Sequence, residues 1–190
     1  IKREHGMYPH TPMSDILLYR CHFEATGRTG AQFVGREGEG GYSPHLLHVY
    51  GCYFADPGLN DGGSALTAYG IEHVLVEATE FWIGKNAARV AGWMARNPQK
   101  KAFSTGHFVN WKDSNRALPS ENITFRKVLM YSMPGTGEAA CVQVKNSHSL
   151  TVNGIYIQTG FNKRAAELGT GMDYDVSGQN TVHGQVTFGD

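Results

Sequence analysis

A chain of 190 residues with 17 basic and 17 acidic side chains has no electrostatic footprint for nucleic acid or an anionic membrane surface. No stretch approaches the ~20 consecutive apolar residues of a membrane-spanning helix, and the length fits one domain with a substantial core. Charged residues make up 18% and glycine contributes 24 residues, a balance that suits many turns rather than long helices.

Residues 1–13 hold His5, Pro9, His10 and Pro12 with no hydrophobic period, and read as an irregular arm or the end of a preceding coil. The start, Ile1-Lys2-Arg3, carries no secretory leader and reads as processed or partial. A frame then begins. In Asp15 to Phe23 the inward candidates are Ile16, Leu18, Cys21 and Phe23, two alternating pairs separated by two residues. The same frame recurs as Leu47, Val49, Cys52, Phe54 and as Val74, Val76, Thr79, Phe81. It returns as Ile123, Phe125, Val128, Met130 and as Leu150, Val152, Ile155, Ile157, with a looser copy ending in Val186 and Phe188. Each half has the period-2 alternation of a strand with one buried face. The two-residue interruption resets the phase, so both halves face one interior only if the chain bends there. Successive copies are offset by 31, 27, 49 and 27 residues, a fixed core with variable loops.

A third strand accompanies the pairs. Leu66 and Ala68 lie eight residues before Val74 and Val76, and Val142 and Val144 lie eight before Leu150 and Val152. Three strands per repeat predict a coil of triangular section, and Tyr174 with Val176 begins a less regular copy. Residues 28–41 read as a Gly-rich, charged loop with one strand in Ala31-Gln32-Phe33-Val34. The long gap, about residues 84–119, is predicted to be either a degraded coil or a coil carrying an excursion. Within it, Asn86 to Arg96 reads as a short helix or extra strand, and Gly106 to Trp111 as a strand. At the bends, Asn153-Gly154 would favour an antiparallel hairpin. The flanking tripeptides are too short for one, and the frame recurs without Asn-Gly, so parallel stacking is the economical reading.

Segments such as Ser120 to Val128 and Val144 to Ile155 resemble coils of right-handed parallel β-helices of the pectin-lyase-like superfamily, which includes polysaccharide lyases, hydrolases and bacteriophage tailspikes. The resemblance covers about residues 14–188 and is one of repeat style, without a catalytic signature. It implies an all-β, right-handed single-stranded parallel β-helix (a solenoid) of about six coils over residues 14–190, with the long insertion between the third and fourth strand pairs. Variable coil length and Gly-rich loops place it nearest the tailspikes.

Alternation also sets the outward rows. One runs His22, Tyr53, Glu80, Leu129, Tyr156, and beside it Glu24, Ala55, Trp82, Tyr131, Gln158. Together they form a stripe roughly 20 Å long, from five strands ~4.8 Å apart. Aromatic faces cover the apolar side of a pyranose, while carboxylates bind hydroxyls and act as acid and base. The candidate substrate-binding residues are therefore His22, Tyr53, Trp82, Tyr131 and Tyr156. The candidate catalytic residues are Glu80 with Glu24 or Asp56. Glu24 and Glu80 sit two rungs, ~9.6 Å, apart, nearer the ~6.5–9.5 Å of inverting glycosidases than the ~5 Å of retaining ones.

The same stripe is also what a subunit-packing face would present. Cys21 and Cys52 fall at one frame position and read as inert small hydrophobes, although a disulfide is geometrically conceivable. No cofactor or metal is expected. The Gly35 to Gly41 run lacks the context of a phosphate loop, and neither the His5/His10 pair nor Asp173/Asp175 makes a ligand set. The resemblance implies a virion-associated or extracellular protein that binds, and is a candidate to depolymerise, a bacterial surface polysaccharide, working as a homotrimer or with other virion subunits. The alternatives are a non-catalytic structural virion or surface protein, and a free polysaccharide lyase or glycoside hydrolase.

Overall fold

A computed structural model describes residues 6–8, 14–34, 45–59, 64–69, 71–98, 109–111, 121–132, 142–145, 150–159, 173–175, 182–183 and 186–189. The chain is mostly β, with one helix among the described residues. Its elements are β1 (Ser14–Tyr19), β2 (His22–Glu24), β3 (Ala31–Val34), β4 (His45–Tyr50), β5 (Tyr53–Ala55) and β6 (Leu66–Tyr69). Then follow β7 (Glu72–Glu77), β8 (Glu80–Ile83), α1 (Ala87–Arg96), β9 (Val109–Trp111), β10 (Glu121–Ser132) and β11 (Val142–Lys145). The last are β12 (Leu150–Thr159), β13 (Asp173–Asp175), β14 (Val182–His183) and β15 (Val186–Gly189).

All described strand pairs are parallel. One sheet follows the path β1-β4-β7-β10-β8-β5-β2, because the long β10 pairs β7 through its first half and β8 through its second. A second, five-stranded sheet runs β13-β11-β9-β6-β3. Register places Ile16, Leu47, Val74, Ile123 and Leu150 in one row, as the frame predicts. Phe54, Phe81, Met130, Ile157 and Phe188 form another.

The bend between the two halves has a definite backbone cause. Arg20, Gly51, Ala78 and Lys127 all have φ between 48° and 61°. One left-handed residue swings the chain and restores the inward phase of the next tripeptide. For a side-chain-bearing residue this conformation costs roughly 1–2 kcal/mol, and it persists because the bends are themselves paired. Arg20 N donates to Tyr50 O at 2.9 Å, Gly51 N to Glu77 O at 3.1 Å and Ala78 N to Arg126 O at 3.0 Å.

Inside, Leu47, Val49, Val76, Phe81, Ile123, Phe125 and Val128 are fully buried, joined by Phe33, Leu66 and Ala68 from the second sheet. Phe23, Phe54 and Phe81 stack at 4.8 and 5.1 Å, each ring nearly parallel to the next. Burying a side chain of this size contributes about 1.5–3 kcal/mol. Thr79 is the polar member of the inward frame. It is tolerated because its hydroxyl donates to Glu77 O at 2.9 Å and accepts from Cys52 N at 3.3 Å. Cys21 and Cys52 are free thiols; Cys52 points to Leu18 O at 3.3 Å, and burial pushes it up to about 11.

The second sheet takes in more than the third-strand copies at Leu66, Val142 and Tyr174, because the separate strands read at Ala31–Val34 and about Val109–Trp111 belong to it. β3 and β9 join it, with Phe33, Ala68, Trp111, Val144 and Tyr174 in one row. Among its described residues, the insertion after β8 holds helix α1 and one strand of the second sheet, β9. Residues 35–44 and 99–108 lie outside the described residues, as does Val176.

Candidate functional site

The outward stripe starts from register. His22, Tyr53, Glu80, Leu129 and Tyr156 are mutual partners across β2, β5, β8, β10 and β12. Two residues further on, Glu24, Ala55, Trp82, Tyr131 and Gln158 form the neighbouring row. The side chain of Tyr156 lies outside the described residues, so its place is given by its backbone alone.

The aromatic residues are arranged differently from a set of flat sugar platforms. Trp82 and Tyr131 stack on each other with centroids 4.2 Å apart and planes 18° apart. Such ladder stacking turns ring faces toward adjacent strands and ring edges outward. The Lys85 ammonium sits 4.8 Å from the Trp82 centroid and 4.5 Å from that of Tyr53. Because Tyr131 already covers one face of Trp82, Lys85 takes the other. His22 meets Tyr53 edge to face at 4.5 Å.

The carboxylates divide into three environments. Glu80 Oε2 accepts the indole N–H of Trp82 at 3.1 Å. Glu24 accepts from Arg89 Nη1 at 2.6 Å through one oxygen and lies 3.1 Å from His22 Nε2 through the other. Its partial burial would raise its pKa, but the Arg89 charge and hydrogen bond, with His22, outweigh this and hold the carboxyl below its ordinary value. A lowered carboxyl is a base or an electrostatic partner rather than a proton donor at neutral pH. Between the two, register implies two strand spacings and two residues of offset, roughly 12 Å from Cα to Cα.

Asp56 has a different setting from the stripe. It is fully buried, at φ 45°, directly after β5. Its carboxylate accepts from Gly84 N at 2.6 Å, Lys85 N at 3.0 Å and Asn86 N at 3.1 Å. Three backbone donors engage both of its oxygens, and it fixes the corner between β8 and α1.

That corner brings in two residues the frame did not single out. Lys85 leaves it toward the rings, and Arg89 reaches Glu24 from the first turn of α1. Helix α1 begins where Asn86 accepts from Arg89 N at 3.2 Å, and Trp93 plugs its inner face into the core. Arg96 Nη2 donates to Leu59 O at 3.2 Å, tying its other end to the loop after β5. The available signal was position: the insertion begins immediately beyond Trp82 and Ile83, at the margin of the stripe.

Among the described residues no three His, Cys, Asp or Glu side chains gather to hold a metal. No helix among them is long and apolar enough to cross a membrane. Compared with protein-family models, curated proteins and solved structures, the chain matches none.

Proposed function

We propose that this chain is a right-handed parallel β-helix of about six coils whose outer stripe binds a bacterial surface polysaccharide, as in the tailspike-like proteins it resembles. The coil reading is supported by the parallel register, the row-paired bends and the recurrence of a second-sheet strand after each of the first five pairs. Right-handedness follows from the strong preference of parallel strand connections for that hand. The observation that carries the function is the stripe itself. Register-paired neighbours place His22, Glu24, Tyr53, Glu80, Trp82 and Tyr131 side by side, with Lys85 and Arg89 at their margin.

A glycan chain laid along the stripe meets tyrosine hydroxyls, an imidazole, carboxylates and cations in succession, all groups that exchange hydrogen bonds with hydroxyls. In this reading the protein is virion-associated or extracellular and works as a homotrimer or beside other virion subunits. Glu80 is the carboxylate best placed for acid–base work, with Glu24 as its charged partner. Asp56 acts as an anchor for the corner that carries Lys85.

The test is incubation with purified capsular and O-antigen polysaccharides, following binding and the release of reducing ends or unsaturated products. Binding without release makes the protein a receptor-binding module. Release that survives Glu80→Gln removes Glu80 from the chemistry. Absence of binding across the panel overturns the reading.

A second reading, a non-catalytic structural component, has its own observation. Leu17, Tyr19 and Leu46 are 59%, 53% and 49% exposed on the adjacent strands β1 and β4, apolar surface suited to packing against another subunit. The occupied ring faces of Trp82 favour the same reading.

A further inference from the structure

Among the described residues the first sheet ends at β1, which pairs β4 on one side alone. The second sheet goes one step further in that direction. Met7 bridges Ala31, Met7 N donating to Gly30 O and Gln32 N to Met7 O, each at 2.9 Å. No described strand does the same for β1. Along a paired strand the N–H and C=O of successive residues alternate between its two sides. Arg20 N reaches Tyr50 O at 2.9 Å and Leu18 O lies 3.3 Å from Cys52 Sγ, so the even-numbered residues of β1 face β4. Leu17 and Tyr19 therefore turn their backbone groups to the free edge. The Tyr19 carbonyl meets the Cys21 thiol at 3.7 Å, a weak donor that leaves it able to accept a stronger one.

The side chains of this edge invite pairing. Edge strands are commonly guarded by a lysine, a proline or a bulge. Ile16-Leu17-Leu18-Tyr19 has none and pairs β4 residue by residue. Leu17 and Tyr19 are its exposed apolar members, with Leu46 beside them on β4. Charge stands only at the two ends, Asp15 before this stretch and Arg20 after it, both exposed. Neither has an ion-pair partner among the described residues. The Arg20 guanidinium lies 5.2 Å from the Tyr19 ring centroid instead.

Opposite charges at opposite ends make the strand complementary to itself in one sense only. Laid antiparallel, two copies put each Asp15 beside the other's Arg20; laid parallel, they set like charge against like. We propose that a second copy of this chain adds antiparallel to the free edge of β1, closing a dimer about a two-fold axis at Leu18. Leu17 and the partner's Tyr19 then stand directly opposite, exchange both N–H···O bonds and form an aliphatic–aromatic cross-strand pair. This names the partner of the apolar surface on β1 and β4, and rests on that surface packing against a subunit. It holds whether or not the stripe binds a glycan.

The experiment is sedimentation equilibrium of the full chain, wild type and variants, over about 1–100 μM. The expected wild-type mass rises with concentration to twice that of Leu17→Lys, whose edge ammonium blocks strand addition. Leu17 is exposed, so this variant should keep the wild-type urea midpoint. Asp15→Arg, which leaves like charges at both ends, should weaken association about tenfold. Asp15→Arg combined with Arg20→Asp should restore it. Equal masses for wild type and Leu17→Lys at every concentration overturn the proposal, as does a doubling that persists in Leu17→Lys. Failure of the double reversal to restore association overturns the antiparallel placement, and this arm decides alone if Leu17→Lys lowers the urea midpoint. Each of these failures leaves the polysaccharide reading standing.

Discussion

At the scale of single residues, the backbone carries as much information as the side chains. Gly51 is a glycine of the bend row, where Arg20, Ala78 and Lys127 adopt the same left-handed conformation at a cost. The position a Cβ would take at Gly51 meets nothing closer than the Arg20 side chain at 3.4 Å. Gly51→Ala should therefore lose only the conformational term, about 1 kcal/mol, measured by urea denaturation. Ala78→Gly should be neutral to stabilising by a few tenths to about 1 kcal/mol, the relief of strain offset by chain entropy. A larger penalty belongs to Asp56→Ala. It strips the acceptor from the Gly84, Lys85 and Asn86 N–H groups, and should cost about 2–4 kcal/mol because unsatisfied donors remain. Asp56→Asn should fall between. If Asp56→Ala unfolds at the wild-type midpoint, the anchor role fails.

At the scale of elements, α1 is the piece whose attachment to the stripe can be tuned. Trp93 fixes it to the core, and Trp93→Ala should destabilise the chain by about 3–5 kcal/mol. The Glu24–Arg89 pair fixes its first turn. Glu24 has a folded pKa below its ordinary 4.5, so the pair's contribution is complete above that value and is lost as pH falls through the folded one. With the Glu24 carboxyl 37% exposed, solvent limits the effect to no more than about 1 kcal/mol. The check is a difference: the wild type minus Glu24→Gln stability gap should close between pH 5 and acid conditions, ~pH 3. Legibility in the sequence follows the same division. Alternating residues such as Ile16, Leu18, Leu47 and Val49 fixed the inward side because period 2 leaves a one-dimensional trace. The clasp from α1 was illegible, because nothing in Lys85 or Arg89 states how far a ten-residue helix folds back. Stacking of Trp82 on Tyr131 was equally hidden: register gives neighbours, not ring orientation.

At the scale of the whole molecule, the core is a set of rows, each inner strand of the described sheets bonded to a neighbour on both sides. Phe54 sits centrally in its row, between Phe23 and Phe81. Phe54→Ala should cost about 3–5 kcal/mol, and its effect should spread along the row. Hydrogen exchange would show this as lost protection in β2 and β8 as well as β5; loss confined to β5 would mean that the rows are not energetically coupled. The row-paired bend has a different consequence for tolerance to length change. Deleting a single residue at a bend, such as Arg20, moves either Leu18 or Phe23 out of phase and breaks a bond to the next row. Between frames the spacing already ranges from 27 to 49 residues with register intact. The molecule thus behaves as a ruler whose graduations are rigid and whose margins are free. Foreign peptide spliced into the margins should be carried at a fixed height along the stack, which makes the chain a candidate display scaffold.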